Sequence, residues 1–379
     1  MRALMGAIPI TRLADLTPLD RLGLPVWSAV TPLARDLTTH MGKGANAVAA
    51  RVSALMEAVE RTSAESVGLP VARASWRELD RSGALVLDPR LCDLPPDSAF
   101  APDAVFGWVD ADCLVSGQKV RMPLDLAVSP PGEGILRHVD TNGLAAGNTR
   151  LEAVVHALAE VIERDAVSQH LFAELYLDVA DYLPQRLRID LATLPAPAGA
   201  IVETARAADI DVVVDWLVTD IAVATFRALM IDHAYPTPDG PATRCFVGYG
   251  TAPDAVLAVM RALTEAVQSR LAVIQGARDA FNRAPAADHA ARPFAWLADF
   301  TAGQLLPFDA VPTFAAPDLG ADLDFLLRRL GKVGLERVLV VDLTRPDLDI
   351  PVVRVRVPGL ACFAVNQQRV GWRCKRHLL

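Results

Sequence analysis

Glutamates that recur at a fixed spacing are the first feature of this 379-residue chain that could do chemistry. The pattern A-L-x-E-x-x-[E/Q] begins at Ala54, at Ala157 and at Ala262. Residues three and four positions apart share one face of a helix, so each copy directs two polar side chains the same way. Carboxylates gathered in one pocket repel one another unless a cation neutralises them. Such oxygen ligands suit Mg²⁺, which proteins commonly bind together with nucleotide phosphates.

The first copy of the pattern lies in a predicted amphipathic helix over residues 47–67. At 100° per residue, one side of this helix is apolar and is expected to face the core. The predicted core-facing residues are Val48, Val52, Leu55, Met56 and Val59. Ser53, Glu57 and Glu60 lie on the opposite side.

The second and third copies predict helices over residues 148–168 and 253–275. Asn148 and Thr149 are both acceptable N-caps for the second helix. Its polar side carries Asn148, Glu152, His156, Glu160 and Glu163. The third helix has a polar side formed by Arg261, Glu265 and Gln268. Three related helices therefore offer acidic faces that one architecture can bring together.

A glycine-containing segment precedes each helix, at residues 42–44, 143–147 and 248–250. We expect these segments to be turns, because glycine-rich turns and helix N-termini offer free N–H groups to anions. Lys43 in the first segment is either a phosphate contact or only a turn residue. The segment lacks the first glycine and the Ser or Thr of a Walker motif. The pattern thus indicates a Mg²⁺–nucleotide site without a conventional P-loop.

Solvent exposure is the alternative explanation for the acidic faces. Glu57 with Arg61, and Glu160 with Arg164, are ordinary i, i+4 pairs on a helix surface. The repetition of one heptamer in three places favours a shared site over three solvated faces. Composition and spacing alone do not specify a reaction.

Composition excludes several classes of protein. The chain is 52% hydrophobic and has a formal net charge of −8, which argues against disorder, nucleic-acid binding and attraction to anionic membranes. No apolar run reaches the length of a transmembrane helix. The five cysteines form no C-x-x-C motif, which favours reduced thiols and a cytoplasmic location.

The predicted secondary structure mixes helices with strands. Residues 211–218 and 222–231 are expected to pair as strands, and residues 337–343 and 350–357 are further strands. The fold class is therefore α+β, with mixed or antiparallel sheets that carry the repeated helices. Residues 280–292 are predicted to form a surface loop. The basic tail, residues 369–377, is either solvated or in contact with a leader peptide or partner.

At the repeated helices the chain resembles the YcaO-domain family. The first block combines Gly-Lys-Gly at 42–44 with S-x3-E-x2-E-R from Ser53. The second is G-N-T-x2-E-x3-H-A-L-x-E-x2-E-R-D from Gly147, and the third is R-A-L-x-E-A-x-Q-S-R from Arg261. A late segment, V-R-V-R-V-P-G-L from Val353, is also similar. The resemblance covers most of the chain and implies one catalytic domain over residues 1–379.

The resemblance implies an ATP- and Mg²⁺-dependent enzyme that activates a peptide backbone amide by phosphorylating its oxygen. By position it implies four metal-binding residues, Glu60, Glu152, Glu160 and Glu163. The implied nucleotide-binding residues are Lys43, Ser53, Glu57, Asn148, Arg164, Glu265 and Gln268. The implied catalytic residues are Glu160, Arg164 and Gln268. An external sulfide as nucleophile gives a thioamide, whereas a Cys, Ser or Thr side chain gives an azoline ring.

Two departures from the family pattern bear on the product and the partners. Few residues precede Asp20, whereas members of the family usually carry an N-terminal basic strand, so we expect either that the protein starts further upstream or that the site is incomplete. The chain ends in C-K-R-H-L-L and not in the proline-rich tail common in azoline-forming members. This ending favours the thioamide-forming branch that works with a TfuA-type partner. Azoline formation with a ThiF-like partner, and a silent nucleotide- or peptide-binding scaffold, remain alternatives. A precursor peptide or protein is the expected substrate, and a homodimer is also compatible with the sequence.

Overall fold

The computed structural model describes residues 7–65, 68–235, 243–277 and 302–378. The predicted loop at residues 280–292 lies outside the described residues. Within these ranges the helices are α1 (Ala47–Ser63), α2 (Trp76–Arg81), α3 (Leu124–Ala127), α4 (Arg150–Tyr176), α5 (Val179–Tyr182), α6 (Ala196–Ala207), α7 (Ala255–Gln275), α8 (Leu319–Lys332) and α9 (Trp372–Lys375). The strands are β1 (Arg12–Asp15), β2 (Val26–Val30), β3 (Thr39–Lys43), β4 (Ala72–Ser75), β5 (Val105–Cys113), β6 (Lys119–Pro123), β7 (Leu144–Ala146), β8 (Leu187–Ile189), β9 (Ile210–Trp216), β10 (Ala224–Asp232), β11 (Cys245–Ala252), β12 (Gln304–Leu306), β13 (Leu339–Asp342) and β14 (Val352–Arg356). None of the described helices combines the length and apolar character needed to cross a membrane.

The described strands form three sheets. The strand orders are β1-β2-β3, β11-β10-β9-β8-β12, and β4-β5-β13-β14-β7 with β6 paired to β5. Among the paired strands only β8 and β12 run parallel, and the others are antiparallel. The predicted strand pair at 211–218 and 222–231 is β9 with β10, in which Leu229 lies opposite Val213. The predicted α+β class with mixed or antiparallel sheets is therefore confirmed.

Three strand–helix units, one from each sheet, carry the repeated pattern. They are β3–α1, β7–α4 and β11–α7, and each helix packs on the strand that precedes it. The prediction that each helix follows a glycine turn was wrong for two units. Gly42 lies in β3, and Gly248 and Gly250 lie in β11. These glycines serve the packing of strand against helix and do not form a loop around an anion.

Close contact between backbones explains why these positions are glycine. A Cβ on Gly42 would fall onto the backbone of Ala50 and Ala54, and a Cβ on Gly250 would lie 2.5 Å from the nitrogen of Ala262. Ala54 and Ala262, the first residues of their copies of the pattern, are fully buried against these strands. Small residues on both sides bring each helix onto its strand, and this contact fixes where the glutamates emerge.

Helix boundaries differ from the prediction mainly in the second unit. α1 starts at Ala47 as predicted and ends at Ser63, and residues 66–67 lie outside the described part. α4 is capped by Thr149, whose side chain accepts a hydrogen bond from the backbone N–H of Glu152 at 3.1 Å. It continues to Tyr176, beyond the predicted end at residue 168, because Phe172 in its last turns packs edge-on against Phe363.

The predicted core face of α1 was partly wrong. Val48 is 72% exposed and Val52 is 48% exposed, whereas Ala50, Ala54 and Ala58 are buried with Leu55 and Val59. Periodicity indicated the larger side chains as core residues. The strand instead packs against alanines, because only small residues allow the two backbones to meet.

The C-terminal segment is docked against α4, so the prediction of a solvated tail was wrong. Arg373 is buried, and its Nε and Nη2 atoms lie 2.7 and 2.9 Å from the two carboxylate oxygens of Asp165. Arg369 is also buried and pairs with Asp140 at 2.7 Å. The charges predicted to face solvent or a partner are used inside the fold.

Candidate active site

An open cleft of about 1460 Å³ lies where the three strand–helix units meet. Each predicted site residue contributes to its lining, although the residues are widely separated in the chain. They are Lys43, Ser53, Glu57, Glu60, Asn148, Glu152, Glu160, Glu163, Arg164, Glu265 and Gln268. The structure therefore assembles the predicted site, and their individual roles stay predictions.

The first glutamate of the pattern faces the strand of its own unit. Glu57 accepts a 2.7 Å hydrogen bond from the backbone N–H of Met41 in β3. Glu265, the equivalent residue in the third unit, accepts from the backbone N–H of Tyr249 in β11. Both pairs are separated by the same number of residues in the chain. These two glutamates hold their helices to the strand edges and are fixed by them.

The second polar residue of the pattern bonds to the strand of a neighbouring unit. Glu60 Oε1 accepts from the backbone N–H of Ala146 in β7 at 2.8 Å. Gln268 Nε2 donates to the backbone carbonyl of Met41 at 3.2 Å. Glu163 is the equivalent residue in the second unit, and it has no corresponding backbone partner among the described residues. It is therefore the member of the set with most freedom to bind a ligand.

Arg164 links the second unit to the third. Its Nη2 atom lies 3.4 Å from Glu163 Oε1, and its Nε atom lies 4.0 Å from Glu160 Oε1. The guanidinium carbon lies 6.0 Å from the ring centroid of Tyr249, within the range of a cation–π contact. Burial opposes its charge, but Glu163, Glu265 and Glu160 together raise the pKa of Arg164, which keeps the guanidinium charged.

The carboxylates of the cleft lack sufficient positive charge. Burial raises the pKa of Glu60 to about 8, with Glu57 and Glu160 adding to the shift and the Ala146 N–H opposing it. Burial also raises the pKa of Glu160 and of Glu163, although Arg164 opposes both shifts. Desolvation and mutual repulsion thus disfavour the ionised forms. A bound divalent cation would relieve this condition, so the donor set fits Mg²⁺.

Phosphate oxygens would complete such a cation site. In the described part of the chain, no three acidic, His or Cys side chains converge closely enough to form a metal site by themselves. Mg²⁺ is commonly held by one or two carboxylates together with water and phosphate oxygens. Glu152 is fixed at the start of α4, where it accepts from the backbone N–H of Asn148 at 2.8 Å and from its side-chain Nδ2 at 3.0 Å. Asn148 thereby positions Glu152 beside the N-terminus of the helix.

Two cations face the carboxylates from the first and third units. Lys43 is the last residue of β3, so its interpretation as a turn residue was wrong, and its Nζ lies 2.6 Å from Glu265 Oε2. Arg261 in α7 donates to the backbone carbonyl of Thr251 at 3.0 Å. The sequence prediction did not include Arg261 in the site, although it occupies the position in α7 that Ser53 occupies in α1. That equivalence was the available signal.

Apolar side chains also line the cleft and were missed as site residues. Val48, Val52 and Met56 contribute from α1, and Ala272 and Val273 contribute from α7. These exposed valines are apolar surface without a protein partner. An apolar wall next to Ser53 and Glu57 suits a heterocyclic base.

His156 has solvent access in the cleft and yet is held neutral. Its confined position, together with the positive charges of Arg261 and Lys43, lowers its pKa to about 4. It therefore adds no positive charge near neutral pH. His156 lines the cleft beside the acidic cluster, and the prediction that it is a hydrogen-bonding residue of the helix face stays a prediction.

Carboxylates that need a cation, three cationic side chains and an apolar wall together suit a Mg²⁺–nucleotide complex. The sequence profile of the family described as YcaO cyclodehydratase, ATP- and Mg²⁺-binding, matches residues 41–361. The chain therefore belongs to the YcaO family. The predicted family and the predicted cofactors, ATP and Mg²⁺, are confirmed.

Relatives and a solved structure agree with this membership. An uncharacterized protein of Methanothermobacter thermautotrophicus is 35% identical, over 98% of this chain and 94% of the relative. An uncharacterized protein in the tfuA 3′ region of Rhizobium leguminosarum bv. trifolii is 32% identical, over 93% and 83%. The structure of YcaO from Methanopyrus kandleri bound with AMPPCP and Mg²⁺ has a TM-score of 0.76 and 26% identity, over 98% of this chain and 91% of that chain. These likenesses extend over nearly all of the chain.

Proposed function

We propose that this protein activates a peptide backbone amide at the expense of ATP and inserts sulfur to form a thioamide, with the whole chain acting as one catalytic domain. The observation that carries the proposal is that the Glu60, Glu160 and Glu163 carboxylates line one open cleft together with Arg164. An enzyme of this kind must hold charged phosphates and a neutral amide side by side. The cleft provides charged side chains for the phosphates and, at about 1460 Å³, has room for the amide beside them.

The side chains of the cleft divide into three roles in this proposal. Glu60, Glu152 and Glu163 hold the cation, with Glu160 close by. Ser53 and Glu57 face the nucleoside. Lys43, Asn148, Arg164 and Gln268 line the phosphate region, where Gln268 is oriented by its bond to the Met41 carbonyl. Positioning and charge neutralisation are the main contributions of protein side chains to phosphoryl transfer.

The reaction proceeds without a covalent bond to the protein. ATP supplies the phosphoryl group that turns the amide oxygen into a leaving group. Sulfide forms a bond to the amide carbon, the carbon–oxygen bond breaks, and the oxygen departs in phosphate. In this proposal Glu160, whose pKa is raised by burial, accepts the proton that the nucleophile loses. Arg164 offsets the negative charge that develops beside it.

Thioamide formation is favoured over azoline formation by one relative. The Rhizobium protein described above is encoded in the tfuA 3′ region, and it is similar over 93% of this chain. A TfuA-type protein is therefore the partner that we propose. Azoline formation is the second candidate, because the family description names a cyclodehydratase.

Calorimetry with AMPPCP and Mg²⁺ tests the nucleotide site. We expect Mg²⁺-dependent binding by the wild type and a loss of more than about tenfold in affinity for Glu163→Gln, which removes a charge without changing size. Glu203→Gln on the exposed surface of α6 is the matched control and should bind normally. Absence of binding by the wild type, or unchanged binding by Glu163→Gln, would refute the proposal.

Mass spectrometry of a co-expressed precursor distinguishes the two chemistries. Candidate precursor peptides are expressed with this protein and the TfuA-type partner, in the presence of a sulfur source. Exchange of oxygen for sulfur raises the peptide mass, whereas cyclodehydration lowers it by one water. A lower mass would replace the thioamide proposal with the azoline one. An unmodified peptide in the presence of normal nucleotide binding would favour a silent scaffold.

A further inference from the structure

Tyr249 in β11 lines the cleft and brings a hydroxyl group to it. The glycines on either side of it pack against α7, and side chains alternate between the two faces of a strand, so Tyr249 points to the other face of the sheet. On that face its ring packs against the apolar cluster of Ala166, Val167 and Leu217. The first two of these residues belong to α4. Tyr249 therefore lies between the strand of the third unit and the helix of the second.

Charged residues around Tyr249 hold its ring in place. Its backbone N–H donates to Glu265, and the ring centroid lies 6.0 Å from the guanidinium carbon of Arg164. Arg227 in β10 is its partner across the sheet. Arg227 is buried and is itself fixed by Glu174, whose carboxylate oxygen lies 2.6 Å from its Nη1 atom. The position of the tyrosine ring is thus set before any ligand binds.

The hydroxyl group of Tyr249 is free to bind a ligand. It makes no hydrogen bond to the part of the chain that the structure describes, and its oxygen is not among the buried polar atoms that lack a partner, so it is open to the cleft. Burial raises the pKa of Tyr249 to about 12, because the nearby Arg227 and Arg164 only partly offset the loss of hydration. The phenol therefore keeps its proton near neutral pH and can donate it in a hydrogen bond.

The charges near this hydroxyl favour an anionic partner. Arg164 lies against the ring, and Arg227 lies beside it in the sheet. Glu265, which accepts from the Tyr249 N–H, is already paired with Lys43 at 2.6 Å. Hydrogen bonds to ionised acceptors are shorter and stronger than those between neutral groups. A phosphate oxygen therefore suits this donor better than a neutral amide oxygen.

The place of Tyr249 along α7 indicates which phosphate it meets. In the proposed arrangement the base packs on the apolar wall, which includes Val273 of α7. Glu265, the residue bonded to Tyr249, lies about 12 Å from Val273 along the helix at 1.5 Å per residue. Among the phosphates of ATP the terminal one is farthest from the base. This separation favours the terminal phosphate as the partner of the hydroxyl.

We propose that the Tyr249 hydroxyl donates a hydrogen bond to the terminal phosphate of ATP, the group that is transferred to the amide oxygen. The inference rests on the proposed function, because it takes ATP to be the phosphoryl donor. The contact distinguishes ATP from ADP, which lacks the terminal phosphate. A donor held in place by packing also orients the phosphoryl group for transfer without any rearrangement of the protein.

Calorimetry with two nucleotides tests this contact in the full-length protein. AMPPCP with Mg²⁺ carries the terminal phosphate, and ADP with Mg²⁺ does not. Tyr249→Phe removes the hydroxyl and keeps the ring that packs against Arg164. Tyr176→Phe is the matched control, because Tyr176 is exposed at the end of α4 and lies outside the lining of the cleft.

Tyr249→Phe should weaken AMPPCP binding by about tenfold and ADP binding by less than about twofold, since a hydrogen bond to a charged acceptor is lost only with AMPPCP. Tyr176→Phe should bind both nucleotides as the wild type does. Unchanged affinity of Tyr249→Phe for AMPPCP, or an equal loss for both nucleotides, would overturn the inference. Failure of the proposed function has a different signature, because the wild type itself would then not bind AMPPCP.

Discussion

Lys43 and Glu265 form a 2.6 Å ion pair across the cleft, and this pair joins β3 of the first strand–helix unit to α7 of the third. Burial favours the protonated form of Glu265, but Lys43 and Arg164 outweigh it and lower its pKa. Glu265 is therefore ionised while Glu60 and Glu163 are pushed towards protonation. Lys43 and Arg164 thus distinguish Glu265, which anchors α7 to β3, from the carboxylates that we propose as metal ligands.

Replacing Lys43 tests whether its ammonium group binds the phosphates or only forms the ion pair with Glu265. Lys43→Met should weaken AMPPCP binding by about tenfold, because a positive charge facing the phosphates is lost. Its unfolding free energy should fall by no more than about 1 kcal/mol, since both partners are partly exposed. Calorimetry and urea denaturation measure the two effects, with Lys332→Met on exposed α8 as the control. Unchanged affinity with a lower stability would assign Lys43 to the ion pair alone.

The raised pKa of the buried Glu60 predicts that the folded protein becomes less stable as the pH rises. The pKa of Glu60 is raised from 4.5 to about 8, so the group favours folding fully below the unfolded-state value. That contribution is lost as pH rises through about 8. The melting temperature of the protein without nucleotide or Mg²⁺ should therefore fall between pH 6 and pH 8.5.

Glu60→Gln is the matching control for this pH dependence. The amide keeps an oxygen that can accept from the Ala146 N–H but carries no titratable proton. The variant should lose part of the decline in melting temperature, and wild-type affinity for Mg²⁺ should rise with pH because binding releases protons. A wild-type melting temperature that rises over this range, or an unaltered slope in Glu60→Gln, would contradict the raised pKa.

The site residues were easier to predict from the sequence than the contacts that hold them in place. The repeated heptamer gave the helices, and the spacing put Glu57, Glu60, Glu160 and Glu163 on polar faces that do line one cleft. Helical periodicity depends only on local geometry, so it is readable from the chain. Glu57 and Glu60 accept from backbone N–H groups of strands, and no sequence pattern records which N–H faces which carboxylate.

Errors arose where packing overrode local preference. Glycine is typical of turns, but Gly42 and Gly250 lie in strands, where a helix backbone contacts them. Valine is typical of a protein core, but Val48 and Val52 are exposed and alanines occupy the buried face of α1. Arg373 lies in a basic segment typical of a solvated tail, but it forms an ion pair with Asp165 inside the fold. Each of these outcomes depends on contacts between separate elements of the fold, which the periodicity of a single element does not record.

The glycine contact in the third unit predicts a large effect from one added methyl group. A Cβ at position 250 would lie 2.5 Å from the nitrogen of Ala262 and also meet the carbonyl of Ala258, and both are backbone atoms that cannot turn aside. Gly250→Ala should lower the unfolding free energy by about 3 kcal/mol and weaken AMPPCP binding as α7 shifts. Urea denaturation measures the first effect and calorimetry the second.

Gly331→Ala is the matched control for this substitution. Gly331 lies in helix α8, and a Cβ there would have open space around it. Alanine is the better helix former, so this variant should be unchanged or more stable by up to about 1 kcal/mol. Equal stability of the two variants would show that β11 and α7 are not in the close contact described here.

The docked C-terminal segment makes Arg373 important for the stability of α4. Asp165 is fully buried directly after Glu163 and Arg164, and Arg373 supplies two of its hydrogen bonds. Arg373→Met would leave a buried carboxylate without its cation, which costs about 3–5 kcal/mol when one partner of such a pair is removed. Lys375→Met, exposed on the same short helix, should change stability by less than about 0.5 kcal/mol. Urea denaturation measures the unfolding free energy of both variants. Equal, small losses would mean that the C-terminal segment does not stabilise α4. The expected difference would show that the segment stabilises the part of α4 that carries Glu163.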